Sequence, residues 1–244
     1  MNANPTSGYG ATGPAFGVID HNTFYNSNVG VYVADVENTD GYTWGSTAWG
    51  RPFAAGTTDS VVIEDNLFTT DGEISPNVNN NNPMLYGTCG GRATFRHNTH
   101  TATGSGDVTS IDAHGEYAPA SGLGSTAMYE VYENIFSFVT GSQVFTLRGG
   151  KHIWWNNTIT TSHGASHIEL WDELNQPFDD ESIQDSYFSN NVFNGSVESG
   201  PLPLNPTYPY QGHVGTNYWM QLPAPGQTFY PYTPLVYPHP LVTP

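Results

Sequence analysis

The chain has 244 residues and a formal net charge of −17; only 11% of its residues are charged, while 14% are aromatic. One lysine among 27 glycines and 18 prolines excludes a helical protein, and the aromatic content excludes a disordered chain. Nucleic acid and anionic membranes are excluded as partners, because both bind through Lys and Arg and the chain has only five such residues.

The start of the chain and its cysteine content bear on location. Residues 1–15 contain neither a basic segment nor an apolar run, so we expect no signal peptide in this sequence. No apolar stretch approaches the roughly 20 residues of a membrane span. Cys89 is the only cysteine, which excludes an internal disulfide. A thiol-poor, acidic and Asn-rich chain suits an extracellular location: secreted, on the cell surface or on a virion.

From Val18 onward a short phrase recurs. It consists of alternating apolar residues, a polar residue, an asparagine, one further residue, and usually an aromatic or aliphatic residue. The first copy is Val18–Phe24 and the last is Tyr187–Phe193. The asparagine occupies six positions along the chain: Asn22, Asn66, Asn98, Asn134, Asn157 and Asn191.

The spacing of these asparagines varies from 23 residues (Asn134 to Asn157) to 44 residues (Asn22 to Asn66). A fixed phrase at variable spacing indicates one constant element per turn plus loops of variable length, as in a solenoid. In stacked turns the asparagine amides should form a hydrogen-bonded ladder. The residues two positions later, beginning with Phe24, should form a stack inside the core.

A second strand-like phrase follows most copies of the first, so each turn should contain at least two strands. Its alternation of apolar and polar residues indicates one buried and one outer face. The ranges are 30–36, 83–88, 109–115, 143–150 and 166–172. The alternative is an antiparallel sandwich with Asn-rich turns. It is disfavoured because the asparagine recurs within a strand phrase and not in two-residue hairpin turns.

Five phrases carry a resemblance to a known family: Ile63–Asn66, Ala93–Asn98, Ile111–Gly115, Leu147–Gly150 and the ending Tyr232–Leu241. They resemble a family of bacterial right-handed parallel β-helix repeat proteins that is grouped with the pectate-lyase-like superfamily. The resemblance covers roughly residues 14–241. It implies an all-β, single-stranded right-handed parallel β-helix.

Two regions follow from this fold. Residues 1–200 should form the coils, without the helical cap that such β-helices usually carry at their start. An uncapped solenoid end exposes strand edges, so we expect a homo-oligomer or end-to-end stacking. Residues 201–244 are rich in Pro and Tyr, and proline cannot lie inside a strand ladder. We expect this segment to lie extended along the solenoid wall and to shield the last coil.

The candidate site lies on the outer face of the second strand phrase. When three copies are aligned, Asp112 and His114 lie beside Thr146 and Arg148, and Glu169 comes next. Asp112, His114, Arg148 and Glu169 are the predicted catalytic residues. The predicted substrate-binding residues are Glu116, Tyr117 and Trp171.

These residue types permit two reactions on a polysaccharide. A lyase needs a base, for which Arg148, Lys151 or His114 is available, and a cation to stabilise an enolate. Ca²⁺ held by Asp112, Glu169 and Asp172 would supply that cation. A hydrolase needs two carboxylates about 5–10 Å apart, and turns about 4.8 Å apart meet that requirement. The sequence selects neither reaction and leaves open whether the protein is an enzyme.

Structural roles are equally open for several of these residues. Arg148 could simply pair with Asp112 or Glu169, and His114 could cap a turn. His21 and His97 precede ladder asparagines and are predicted to be structural. The sequence is therefore compatible with two functions. One is an extracellular protein that acts on or binds polysaccharide, and the other is a structural or adhesive module, such as a filament subunit or a viral spike segment.

Overall fold

The computed structural model describes residues 16–27, 29–34, 55–71, 83–88, 90–103, 109–114, 126–139, 143–161, 166–170, 183–195 and 233–242. Within these ranges the secondary structure is all-β, and every strand pairs with its neighbours in parallel. None of these ranges contains a helix long and apolar enough to cross a membrane.

The strands form three sheets, here named A, B and C. Sheet A contains β1 Gly17–Asp20, β4 Val61–Glu64, β7 Arg92–Arg96, β10 Met128–Tyr132, β13 Gly150–Trp155 and β16 Ile183–Ser189. Sheet B contains β2 Thr23–Tyr25, β5 Leu67–Thr70, β8 Thr99–Ala102, β11 Ile135–Phe138, β14 Thr158–Thr161 and β17 Val192–Gly195. Sheet C contains β3 Val31–Ala34, β6 Leu85–Thr88, β9 Ile111–Ala113, β12 Gln143–Leu147 and β15 Ser166–Leu170.

The chain visits the sheets in the order A, B, C and then returns to A, so each strand pairs with the strand three places later. One sequence repeat therefore supplies three strands, which agrees with the prediction of at least two per turn. The recurring phrase is not one strand, however. It is a strand of sheet A and a strand of sheet B joined by a bend.

The bend lies at the polar residue before each ladder asparagine. In all six repeats this residue has a left-handed backbone, with φ between 52° and 56°. Asn, Asp and His adopt this conformation more readily than most residues, which explains the polar residue at this position. The bend residues are His21, Asp65, His97, Glu133, Asn156 and Asn190.

The predicted asparagine ladder is confirmed. Each of the first five asparagines donates from its main-chain N–H and from Nδ2 to Oδ1 of the asparagine in the next repeat. The ten N···O distances lie between 2.8 and 3.2 Å. From Asn66 onward, Nδ2 also donates to a carbonyl of sheet A in the preceding repeat, as from Asn98 to Ile63 O at 2.8 Å. The ladder thus satisfies buried polar groups at every bend.

Side chains from all three sheets meet in one core. The predicted aromatic stack begins as expected, with the rings of Phe24 and Phe68 parallel and 4.6 Å apart. It is interrupted at His100, whose fully buried ring meets Phe68 edge-on. His100 Nδ1 lies 2.8 Å from Ser110 Oγ, which gives the imidazole a polar partner inside the core.

Residues 233–242 lie against sheet A. Arg96 donates from Nη1 to Leu235 O at 2.6 Å and from Nη2 to Val236 O at 2.9 Å. The His239 N–H donates to Glu64 Oε1 at 2.7 Å. The contacts fall on the second and third repeats, whereas the sequence suggested the last. The rest of the Pro/Tyr-rich segment, residues 201–232, lies outside the described ranges.

Candidate functional site

The predicted site lies on the outer face of sheet C. Ile111, Ala113, Phe145 and Leu147 point into the core, so Asp112 and Thr146, which alternate with them, point to the other face. Thr146 pairs with Asp112 on one side and with Glu169 on the other, which confirms the predicted register. The complete register column across the sheet is Tyr32, Tyr86, Asp112, Thr146 and Glu169.

The structure brings two of the predicted catalytic residues together as an ion pair. Arg148 Nε donates to Asp112 Oδ1 at 3.0 Å, and Nη2 donates to Oδ2 at 2.5 Å. The Asp112 side chain is fully buried and that of Arg148 is 5% exposed. Asp112 is therefore a partner of Arg148, as the sequence allowed, while the side chain of the other candidate, Glu169, lies outside the described residues.

This environment fixes the charge states of the pair. Burial raises the pKa of Asp112, and the adjacent guanidinium of Arg148 opposes that rise. A guanidinium paired in this bidentate way holds its proton, so it serves better as a fixed positive charge than as a base. Both oxygens of the Asp112 carboxylate are hydrogen-bonded to Arg148.

Tyr129 supports the strand that carries Asp112 from the core side. Its hydroxyl donates to the main-chain carbonyl of Asp112 at 3.3 Å. Burial strongly raises the pKa of this hydroxyl, so it remains protonated. Gly87 of β6, which pairs with Ala113 of β9, lies against this hydroxyl. A Cβ atom at Gly87 would lie only 2.1 Å from Tyr129 Oη. The position must therefore be glycine for Tyr129 to reach Asp112.

His114 lies one residue beyond β9, at the same end of the sheet as Arg148. Its N–H donates to Gly87 O at 3.0 Å, and its carbonyl accepts from Thr126 N at 2.8 Å. The imidazole meets the ring of Tyr86 edge-on, with 5.5 Å between the ring centroids. His114 is buried.

Sequence reasoning missed the two tyrosines at the other end of the column. Tyr32 and Tyr86 are both partly exposed, and their ring centroids are 5.2 Å apart with a 31° tilt between the planes. The available signal was a tyrosine at the centre of the second strand phrase in each of the first two repeats. Thr146, on the other side of Asp112, is buried, and its Oγ1 has no hydrogen-bond partner in the described part of the chain.

The structure does not place the other predicted residues beside Asp112 and Arg148. Glu116, Tyr117, Trp171 and Asp172 lie outside the described ranges, and for Glu169 only the strand position is described. Lys151 lies in β13 of sheet A, around the corner from sheet C. The described ranges contain no cluster of three His, Cys, Asp or Glu side chains arranged to hold a metal ion.

Comparison of the chain with family models, with curated proteins and with solved structures finds no match.

Proposed function

We propose that this chain is an extracellular right-handed parallel β-helix that binds polysaccharide along the outer face of sheet C. The closed coil is supported by the repeated A, B, C order of the strands and by a core to which all three sheets contribute. The extracellular location is supported by the acidic, Asn-rich composition and the single cysteine.

The observation that carries the binding proposal is the pair of Tyr32 and Tyr86. The two rings form an aromatic surface on consecutive turns, and both keep part of their area in solvent. Sugar rings present C–H faces that pack on aromatic side chains, and a few polar groups nearby fix their orientation. Asp112 and Thr146 continue the same column. Both oxygens of Asp112 are taken by Arg148, so Thr146 Oγ1 is the polar group of this pair that could bind a ligand.

The Asp112–Arg148 pair has a positioning role in this proposal. Its two buried charges and two hydrogen bonds fix the strand ends next to Tyr86 and His114. Thr146 Oγ1 is a buried hydroxyl without a partner in the described ranges, and such groups usually pair with something. A hydroxyl-rich ligand would satisfy it, given a path to this position.

The charge of the chain favours neutral polysaccharide. A protein with five basic residues and a net charge of −17 repels an acidic polymer unless a divalent cation lies between them. For an acidic sugar, the proposed cation is Ca²⁺ held by Glu169 and Asp172. Asp112 would join it only after separating from Arg148.

Cleavage of the sugar is a further proposal, in which His114 is better placed than Arg148 to transfer protons. Arg148 is held as a charged partner of Asp112, and His114 contacts the tyrosine surface directly. A carboxylate on Glu169 would supply the acid or base of a hydrolase.

A screen of neutral and acidic polysaccharides tests the proposal, with calcium and then with chelator, following both retention of the protein and new chain ends. Retention on a neutral polysaccharide without new ends is the expected result. Unsaturated ends that disappear with chelator would indicate a lyase, and reducing ends alone a hydrolase. Absence of both retention and new ends would contradict the proposal and favour a structural or adhesive module.

A further inference from the structure

The asparagine ladder has a direction. In every rung the donors are the main-chain N–H and Nδ2 of one repeat, and the acceptor is Oδ1 of the next repeat toward the C-terminus. The same direction holds up to the last rung, where Asn157 donates to Asn191 Oδ1 at 3.1 and 2.8 Å. The two ends of the ladder therefore differ in chemistry.

At the first repeat, the ladder ends in a hydrogen-bond acceptor, Asn22 Oδ1. Asn22 donates to Asn66, but no group within the described ranges donates to Asn22 Oδ1, and this residue is exposed. The last end presents donors. Asn191 Nδ2 donates to Trp154 O at 3.0 Å, and no described asparagine follows to accept from its N–H and Nδ2 as Asn191 accepts from Asn157. The acceptor at Asn22 and the donors at Asn191 are therefore complementary.

The apolar core is also less covered at the first repeat. Ile63 and Phe68 in the second repeat are fully buried, whereas their counterparts Ile19 and Phe24 are only partly buried. Phe16, just before β1, is 69% exposed.

We propose that a second copy of this chain stacks on the first repeat through its own last repeat. β16 and β17 of one copy would lie beside β1 and β2 of the next, in parallel, as successive repeats do within the chain. Asn191 of one copy would donate to Asn22 Oδ1 of the other and continue the ladder across the junction. Because the two surfaces differ, the contact is head-to-tail and builds linear assemblies.

The charge of the chain predicts how this association responds to salt. Two copies that each carry a net charge of −17 repel one another, and added salt screens that repulsion. Assembly should therefore grow with protein concentration and with ionic strength. An association held by salt bridges between the copies would weaken with salt instead.

Complementary variants test the head-to-tail contact in the full chain by sedimentation velocity. Asn22→Ala removes the acceptor at the first end. Asn191→Asp keeps the oxygen that Asn157 needs but loses the donor group and adds a negative charge at the last end. Tyr237→Phe is the control, since it removes an exposed bond to Asp65 at 2.9 Å, away from the first and last repeats and without touching the ladder.

The wild type and Tyr237→Phe should form a series of oligomers, while each ladder variant alone should associate at least about tenfold more weakly. An equal mixture of the two ladder variants should stop at a dimer, because each supplies the end that the other lacks. A wild type that stays monomeric at about 1 mM protein and about 0.5 M salt would overturn the proposal. So would ladder variants that associate as the wild type does while their circular dichroism shows a native fold.

Discussion

Arg96 and Glu64, on adjacent strands of sheet A, form an ion pair in which both side chains are fully buried. Arg96 Nε and Nη2 lie 2.7 and 2.6 Å from Glu64 Oε2. The remaining hydrogen-bonding groups of the pair reach Tyr132 and the main chain of residues 235–239. One buried pair thus links the second and third repeats to residues near the end of the chain.

Breaking this pair should destabilise the protein strongly. Arg96→Met leaves the Glu64 carboxylate buried beside a single main-chain N–H, and we expect the free energy of unfolding to fall by about 3–5 kcal/mol. Urea unfolding followed by circular dichroism measures it. Tyr237→Phe, which loses only the exposed hydrogen bond to Asp65 at 2.9 Å, is the control and should change stability by less than about 1 kcal/mol. A loss of that small size in Arg96→Met would contradict the structural role of the pair.

A rung in the middle of the asparagine ladder should matter more than the first rung. Asn98→Ala removes the partner of the buried Asn66 N–H and that of the Ile63 carbonyl, and should lower the free energy of unfolding by about 2–4 kcal/mol. Asn22→Ala at the exposed first rung should lower it by about 1 kcal/mol. Equal losses in the two variants would mean that the ladder does not stabilise the bends.

Two core histidines should make stability fall at acidic pH. Burial lowers the pKa of His100 to about 3, and burial also lowers that of His152 to about 4 despite its hydrogen bond to Gly149 O. Below about pH 6.5 the unfolded chain takes up protons at these positions while the folded chain does not, so folding weakens. The contribution is complete above pH 6.5 and is lost progressively toward pH 4 and 3.

One variant separates the effect of His100 on the pH dependence of the free energy of unfolding from the effect of carboxylate titration. His100→Phe combined with Ser110→Ala continues the aromatic stack and removes both members of the 2.8 Å contact. Between about pH 6 and 5 this variant should lose about 1.4 kcal/mol per pH unit less than the wild type. Unfolding free energies at several pH values provide the comparison, and identical slopes would show that His100 is protonated in the folded state.

The asparagine ladder and the strand register in sheet C could be predicted because they repeat at fixed places in the sequence. The bend before each asparagine could not, since a polar residue within an apolar phrase gives no signal of a left-handed backbone. The partner of Arg148 stayed open because Asp112 and Glu169 flank Thr146 symmetrically. The contacts of residues 235–239 join positions 139 to 175 residues apart, and no repeat pattern encodes them.

Gly87 should tolerate no larger residue. An added Cβ would lie 2.1 Å from Tyr129 Oη and 2.9 Å from Cζ, and Tyr129 is fully buried and cannot move aside easily. Gly87→Ala should therefore lower the free energy of unfolding by about 1–3 kcal/mol. Tyr129→Phe in the same chain removes the nearer atom and should recover part of that loss, as a double-mutant cycle would measure. If the losses caused by Gly87→Ala and Tyr129→Phe were additive, the added Cβ atom would not clash with the Tyr129 hydroxyl.

The most direct test of the polysaccharide proposal compares two tyrosines. Tyr86→Ala removes half of the aromatic surface on sheet C, while Tyr25→Ala removes an exposed tyrosine on sheet B. Affinities for a polysaccharide that retains the wild type would be measured by titration calorimetry on both variants. The account predicts at least about tenfold weaker binding for Tyr86→Ala and wild-type affinity for Tyr25→Ala. Unchanged affinity in a natively folded Tyr86→Ala variant would contradict it.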